Sequence, residues 1–234
     1  MIQTGAGPSR IIHGRRRGKK LRPGRQALID RLLPALRIEL LASGPLDPAT
    51  LFSAAPRAVW LEIGFGGGEH LAWQAAANPG AGLIGCEPFV NGLASLLAQV
   101  SAQGLANVRV FDDDARKLLD VLAEASIARL FVLFPDPWPK ARHHKRRIIG
   151  RETLAAFARV LADGAELRLA TDDMGYCRWM IEHLARHDAF EWLARRPTDW
   201  RERTDDWPET RYEAKARKQG ARPVFLRYRR VARG

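Results

Sequence analysis

Cysteine is nearly absent: Cys86 and Cys177 are the only two in 234 residues. A disulfide scaffold and a cysteine-rich zinc site are therefore disfavoured, no metal is expected, and a reducing, cytoplasmic compartment is the default. Long apolar runs are missing too. No stretch approaches the roughly 20 consecutive apolar residues of a membrane span. The N-terminus lacks the apolar run and small-residue cleavage site of a secretory signal. The Gly-x-x-x-x-Gly-Lys-Ser/Thr phosphate loop is absent, which disfavours nucleoside triphosphate hydrolysis. What is present, 46% hydrophobic residues, suffices for a sizeable core and rules out wholesale disorder.

Acids are also missing, but only locally. Residues 1–29 hold eight Lys and Arg and no Asp or Glu; residues 211–234 hold nine bases and one acid; residues 140–151 hold six bases and no acid. Outside these segments the chain carries 15 bases and 25 acids, so the net +12 is an acidic body with three basic strips. One such strip alone can be a solvated face. Three suggest a polyanion, either nucleic acid or an anionic membrane. Residues 1–25, rich in Gly, Arg and Pro without apolar periodicity, read as a flexible basic N-terminal arm, and 26–234 as a single domain.

Apolar periodicity predicts a helix over 26–42 with a break or kink at Pro34, and a proline-containing connection over 43–57. A regular alternation follows. Strands are predicted at 59–63, 82–86, 107–111, 128–134 and 165–170, and helices at 69–77, 89–103, 116–125, 152–161 and 173–187. Gly104 and Gly164 read as helix stops. Residues 190–194 and 224–230 read as two late strands, the last pairing as a hairpin at the sheet edge. This order argues for an α/β fold with a doubly wound sheet.

The first strand runs into Glu62-Ile63-Gly64-Phe65-Gly66-Gly67-Gly68. Glycines there permit a tight turn and close approach of the backbone to a ligand. The spacing differs from the Gly-x-Gly-x-x-Gly of a dinucleotide site, and Glu62 would repel a pyrophosphate. A carboxylate suits S-adenosylmethionine, which carries a sulfonium and an ammonium and no phosphate. Further acids stand at the next strand ends: Glu87, one of Asp112, Asp113 and Asp114, and Asp136. Any one of them can be a helix N-cap. Four in succession favour a ligand beyond the C-terminal strand edge, where ribose hydroxyls and an adenine amino group would be met.

The most distinctive segment is Phe134-Pro-Asp-Pro-Trp-Pro-Lys-Ala-Arg-His-His-Lys-Arg-Arg147. Its prolines stiffen the backbone around Asp136. Trp138 can stack on a ligand or plug the core. The basic residues can neutralise phosphates. His143 and His144 lack other ligand types nearby, so RNA contact or solvation is preferred over a metal.

On Leu61–Gly66, Gly85-Cys86-Glu87, Asp114-Ala115, the 134–147 segment, Ala170-Thr171-Asp172 and Thr210-Arg211-Tyr212-Glu213, the chain resembles the bacterial tRNA (guanine-N7-)-methyltransferases over about residues 58–230. Cys86 is a mild departure, since the family often has an aliphatic residue there. The resemblance implies a class I methyltransferase fold, Rossmann-like, with a seven-stranded sheet, mostly parallel, whose last strand is antiparallel. It implies methyl transfer from S-adenosylmethionine to N7 of guanine 46 in the tRNA variable loop, with S-adenosylhomocysteine as product. Glu62, Gly64, Gly66, Glu87, Asp114 and Asp136 would contact the cofactor, and Asp136 would also be catalytic. Lys140, Asp172, Thr210, Arg211, Tyr212 and Glu213 would contact substrate. Arg142, His143, His144, Lys145, Arg146 and Arg147 would contact RNA. No membrane and no obligate protein partner are expected, and monomer or homodimer is left open.

The chemistry agrees with these residue types. Guanine N7 has a lone pair and no proton, so in-line attack on a sulfonium methyl needs no general base, and positioning and electrostatics carry the catalysis. Asp136 can stabilise the cationic ring or orient guanine through N1–H and the amino group. Adenine amino-methylation is a weaker reading, because Trp138 follows Asp136-Pro137 directly without a second proline. A nicotinamide enzyme is weaker still. A non-catalytic RNA-binding protein on the same fold is the alternative from another class.

Overall fold

The computed structural model describes residues 14–40 and 44–234. The strands are β1 (Ala58–Ile63), β2 (Ala81–Cys86), β3 (Val108–Phe111), β4 (Ile127–Leu133), β5 (Leu161–Thr171), β6 (Phe190–Trp192) and β7 (Val224–Arg230). The helices are α1 (Pro23–Leu36), α2 (Glu69–Ala77), α3 (Val90–Gln103), α4 (Ala115–Val121), α5 (Arg151–Val160), α6 (Met174–Ala185), the one-turn α7 (Thr198–Arg201) and α8 (Arg211–Lys218). The sheet order is β3-β2-β1-β4-β5-β7-β6. The first five strands are parallel, and β7 runs antiparallel to both β5 and β6. This is the expected seven-stranded sheet with an antiparallel last strand. Among the described residues no helix is long and apolar enough to cross a membrane.

The period of two along the strands sorts the core into two layers. Val59, Leu61 and Ile63 of β1, with Ile84 and Cys86 of β2, pack with α4, α5 and α6. Leu83 of β2 and Val108 and Val110 of β3 pack with α1, α2 and α3. Glu62 therefore faces the α2 side, between Leu61 and Ile63. Cys86 is 1% exposed and packs as a small apolar residue.

Four boundaries differ from the sequence pattern, each through a distant contact. The first helix starts at Pro23, a residue suited to the first helical position, and gives way to extended chain at Arg37, where the Ile38 N–H bonds the Val110 carbonyl at 2.8 Å. Pro34 sits in its last turn. Next, α4 stops at Val121 because Leu46 intervenes: its N–H bonds the Val121 carbonyl at 2.7 Å and its carbonyl accepts from the Ala123 N–H at 2.8 Å. Then β5 begins at Leu161, opposite Ile127, and Gly164 (φ 79°) lies inside an irregular stretch of that strand rather than ending a helix. Last, β7 inserts between β5 and β6, so the three-residue β6 takes the edge.

The expected flexible arm over 1–25 lies partly outside the described residues, which start at Gly14. From there the chain lies along the start of α3. The Val90 N–H bonds the Arg16 carbonyl at 3.0 Å, and Asn91 accepts from the Gly18 N–H at 2.8 Å while donating to the Lys19 carbonyl at 2.8 Å.

Candidate active site

A cleft of about 410 Å³ opens beyond the C-terminal ends of β1 to β4. Gly64 and Gly66 form its floor; Glu87, Asp113, Asp114 and Asp136 stand in its walls; Trp138, Arg146 and Tyr212 line it with them. Most of the acids expected at strand ends thus meet in one place.

Each is held differently. The Glu87 carboxylate is 9% exposed and accepts from two backbone amides, Gly66 at 2.8 Å and Phe89 at 3.0 Å. Burial raises its pKa above the ordinary carboxylate value, the two amides pull it back, and the charges of Asp136 and Glu62 add to the rise. Asp114 caps α4 by accepting from the Arg116 N–H at 3.0 Å, and the Arg116 guanidinium grips it at 2.5 and 2.9 Å. The cap reading and the cleft reading are both true of this residue, since a carboxylate has lone pairs to spare. Asp113 also faces the cleft but is bound by Lys117 at 2.6 Å, and Asp112 is bound by Arg37 at 2.6 Å.

Glu62 lies behind the glycine loop rather than in the cleft wall. It is 3% exposed, and its Oε2 is 2.8 Å from His70 Nδ1. A small cavity of about 10 Å³ joins Glu62, His70, Thr210 and Tyr212.

Asp136 is exposed on a strained turn. Phe134 (φ 51°) and Trp138 (φ 44°) occupy the left-handed region on either side of it, which costs about 1–3 kcal/mol each and implies that surrounding contacts impose the turn. Those contacts are present. The Phe134 N–H bonds the Ala170 carbonyl at 2.8 Å, and Arg147 Nε donates to the Pro137 carbonyl at 2.8 Å.

The basic run forms a 3₁₀ helix, Ala141–Arg146, in which residues three apart share a face. Arg142 and Lys145 are exposed, as is Lys140 just before them. His143 and Arg146 lie against Trp138, with centroid distances of 5.9 and 4.9 Å, so Trp138 is a wall of the cleft rather than a core plug. His144 and Arg147 turn to Trp179 of α6, at 5.1 and 4.8 Å. Arg147 is 9% exposed and does not join the expected RNA-facing set, because its guanidinium is spent on Pro137, Tyr176 and Trp179.

The 210–213 segment arrives from far along the chain. Gly66 (φ 57°) has room for no side chain, since a Cβ would lie 2.7 Å from the Tyr212 ring. Arg211 pairs with Glu69 at 3.4 Å, and Thr210 caps α8. Glu213 does not open into the cleft. It is 0% exposed, and its Oε1 accepts from Arg203 and Arg217 at 2.9 Å each. Asp172 is exposed just past the end of β5, with Lys140 likewise free of packing. The partners that sequence reasoning missed are Arg116 and His70. Only Arg116 carries a signal, an arginine two residues after a capping aspartate.

The chain matches the family model described as "Putative methyltransferase" over residues 56–226. It is 54% identical, over 95% of its length and 88% of the relative's, to a Rhodospirillum rubrum protein named tRNA (guanine-N(7)-)-methyltransferase. The chain belongs to the tRNA (guanine-N7-)-methyltransferase family. Other members of that name from Nitrobacter hamburgensis and Rhizobium meliloti are 50% and 45% identical, over 93% and 99% of this chain and 85% and 100% of theirs. The family's fold agrees with more distant structures. An rRNA methylase from Streptococcus thermophilus aligns with a TM-score of 0.51 at 15% identity, covering 75% of this chain and 87% of that one. A Streptococcus mutans chain solved in complex with SAH aligns with a TM-score of 0.51 at 10% identity, covering 75% and 90%.

Proposed function

We propose that this enzyme transfers a methyl group from S-adenosylmethionine to N7 of a guanine in tRNA, position 46 of the variable loop. The observation that carries the reading is a single cleft in which Glu87, Asp114 and Asp136 meet, with Lys140, Arg142 and Lys145 exposed on the loop that also carries Asp136. Relatives at 45–54% identity named tRNA (guanine-N(7)-)-methyltransferase support methylation of a guanine N7 in tRNA.

The residues present suit the cofactor. Carboxylates at three strand ends match ribose hydroxyls, an exocyclic amine and cationic groups, and would repel a pyrophosphate. Bound, the cofactor supplies an electrophilic methyl on a cationic sulfur. Glu87, fixed by two amides, accepts from the ribose hydroxyls. Asp114 accepts from the adenine amino group through lone pairs that Arg116 leaves free. Gly64 and Gly66 let the backbone come close, and Glu62 supplies negative charge from behind them.

Asp136, held at the mouth by a clamped and strained turn, faces the incoming purine. It offsets the positive charge that develops on the ring and accepts from guanine N1–H and the amino group. No side chain takes a proton from N7, because N7 has none. Lys140, Asp172, Thr210, Arg211 and Tyr212 frame the base, and Arg142 and Lys145 meet phosphates. Incubation of unmodified tRNA with methyl-labelled cofactor should place the label in 7-methylguanosine. Replacing guanine 46 by adenine should abolish it; labelling that survives that change would refute the assigned position.

A further inference from the structure

Glu62, His70 and Gln74 form a buried chain that the proposed chemistry does not use directly. His70 and Gln74 are 2% and 1% exposed. The Gln74 amide nitrogen lies 3.2 Å from His70 Nε2 and 2.8 Å from the Asp206 carbonyl, while Asn78 donates to Gln74 Oε1 at 3.2 Å. The Asp206 and Asn78 contacts fix the amide orientation. An amide nitrogen has two hydrogens. One goes to Asp206, the other to His70 Nε2, so Nε2 accepts and the ring proton sits on Nδ1, 2.8 Å from Glu62 Oε2. The ring cannot turn away, because it is wedged edge-on against Phe131 at 4.7 Å and Trp207 at 6.3 Å.

From this geometry we infer that His70 is a positioning residue for methyl transfer: locked by Gln74 as the Nδ1–H tautomer, it fixes the Glu62 carboxylate beneath the glycine loop so that its charge faces the cofactor. The same Gln74 amide ties α2 to the Asp206-Trp207 turn, which leads into the 210–213 segment over Gly66. One side chain thus registers the cofactor acid against the substrate-side loop. The inference rests on the proposed role of Glu62.

Two measurements test it. In nitrogen-15 spectra of the histidine rings at neutral pH, the signal that disappears in His70→Asn should show a protonated Nδ1 and a bare Nε2; an Nε2–H or doubly protonated ring overturns the inference without any reference to cofactor. In calorimetry with S-adenosylhomocysteine, Glu62→Gln and His70→Leu should each weaken binding about tenfold or more, the scale of removing a hydrogen bond to a buried charge. His70→Asn, whose amide nitrogen replaces Nδ1–H, should stay within about threefold of wild type. If His70→Leu does not fold, His70→Gln replaces it: its amide sits at the Nε2 position, and it should bind about tenfold more weakly than His70→Asn. Wild-type affinity in His70→Leu, or equal affinities in the Asn and Gln variants, overturns the inference while a loss in Glu62→Gln leaves the reading of Glu62 intact. Wild-type affinity in Glu62→Gln overturns both.

Discussion

Arg147 donates from Nε to the Pro137 carbonyl at 2.8 Å, and its guanidinium lies 4.8 Å from the rings of both Tyr176 and Trp179. A base in the middle of a basic run is therefore the clamp on the turn that presents Asp136. Arg147→Met should lower turnover about tenfold or more through misplacement of Asp136. Cofactor affinity should stay within about threefold, and the salt dependence of tRNA binding should not change. Filter binding across a salt series, beside steady-state rates, checks this.

Arg142 and Lys145 carry the opposite expectation. Both are exposed on the free face of the 3₁₀ turn. Replacing them with Gln should raise the KM for tRNA and leave S-adenosylhomocysteine binding unchanged. The slope of log affinity against log salt should flatten by about one for each phosphate that is no longer neutralised. An unchanged slope counts against phosphate binding at this face.

The contrast between these residues marks where sequence reading stops. The alternation of strands and helices and the acids at strand ends were legible, because apolar periodicity and chain position set both, whereas the insertion of β7 between β5 and β6 was not. The faces of the basic run were not, since a charge count carries no period; the spacing of three that pairs Arg147 with His144 against Trp179 appears only once the run is a 3₁₀ turn. Glu213 likewise matches a substrate motif, yet Arg203 and Arg217 bury it. His70 carries no local signal, because its importance lies in a strand residue eight positions earlier.

The proposed contact of Glu87 with the cofactor ribose predicts a pH-sensitive affinity. Burial raises its folded-state pKa above the ordinary carboxylate value of 4.5, so its contribution to the stability of the free protein is present at acid pH and is lost as pH rises through the raised value. Binding runs the other way, because ribose hydroxyls need the ionised form as acceptor. Affinity for S-adenosylhomocysteine should fall as pH drops, starting above the range of an exposed carboxylate, and Glu87→Gln should remove that onset. Calorimetry over a pH series in which the variant titrates like wild type would contradict it.

Gly66 tests the approach of Tyr212. An added Cβ would lie 2.7 Å from the Tyr212 ring, at a backbone φ of 57° that disfavours any side chain. Gly66→Ala should cost about 1–2 kcal/mol of stability and displace Tyr212. Turnover should fall in Gly66→Ala and stay low in the double variant Gly66→Ala/Tyr212→Ala, because Tyr212 is proposed to frame the base. The double variant should partly recover stability as the clash is relieved. Thermal melts and rates on the four proteins check both effects.

The claim on which the rest depends is that Asp136 acts on the purine by charge and orientation rather than as a proton acceptor. Its most direct test is the single-turnover rate of Asp136→Asn with saturating tRNA and S-adenosylmethionine, set against wild type across pH. The rate should fall by about 10²–10³-fold, the scale of removing one aligned electrostatic group, in a protein that still folds. At neutral and alkaline pH the residual rate should follow pH in parallel with wild type. A rate near wild type, or a solvent deuterium isotope effect on the wild-type single-turnover rate that disappears in Asp136→Asn, would contradict the account.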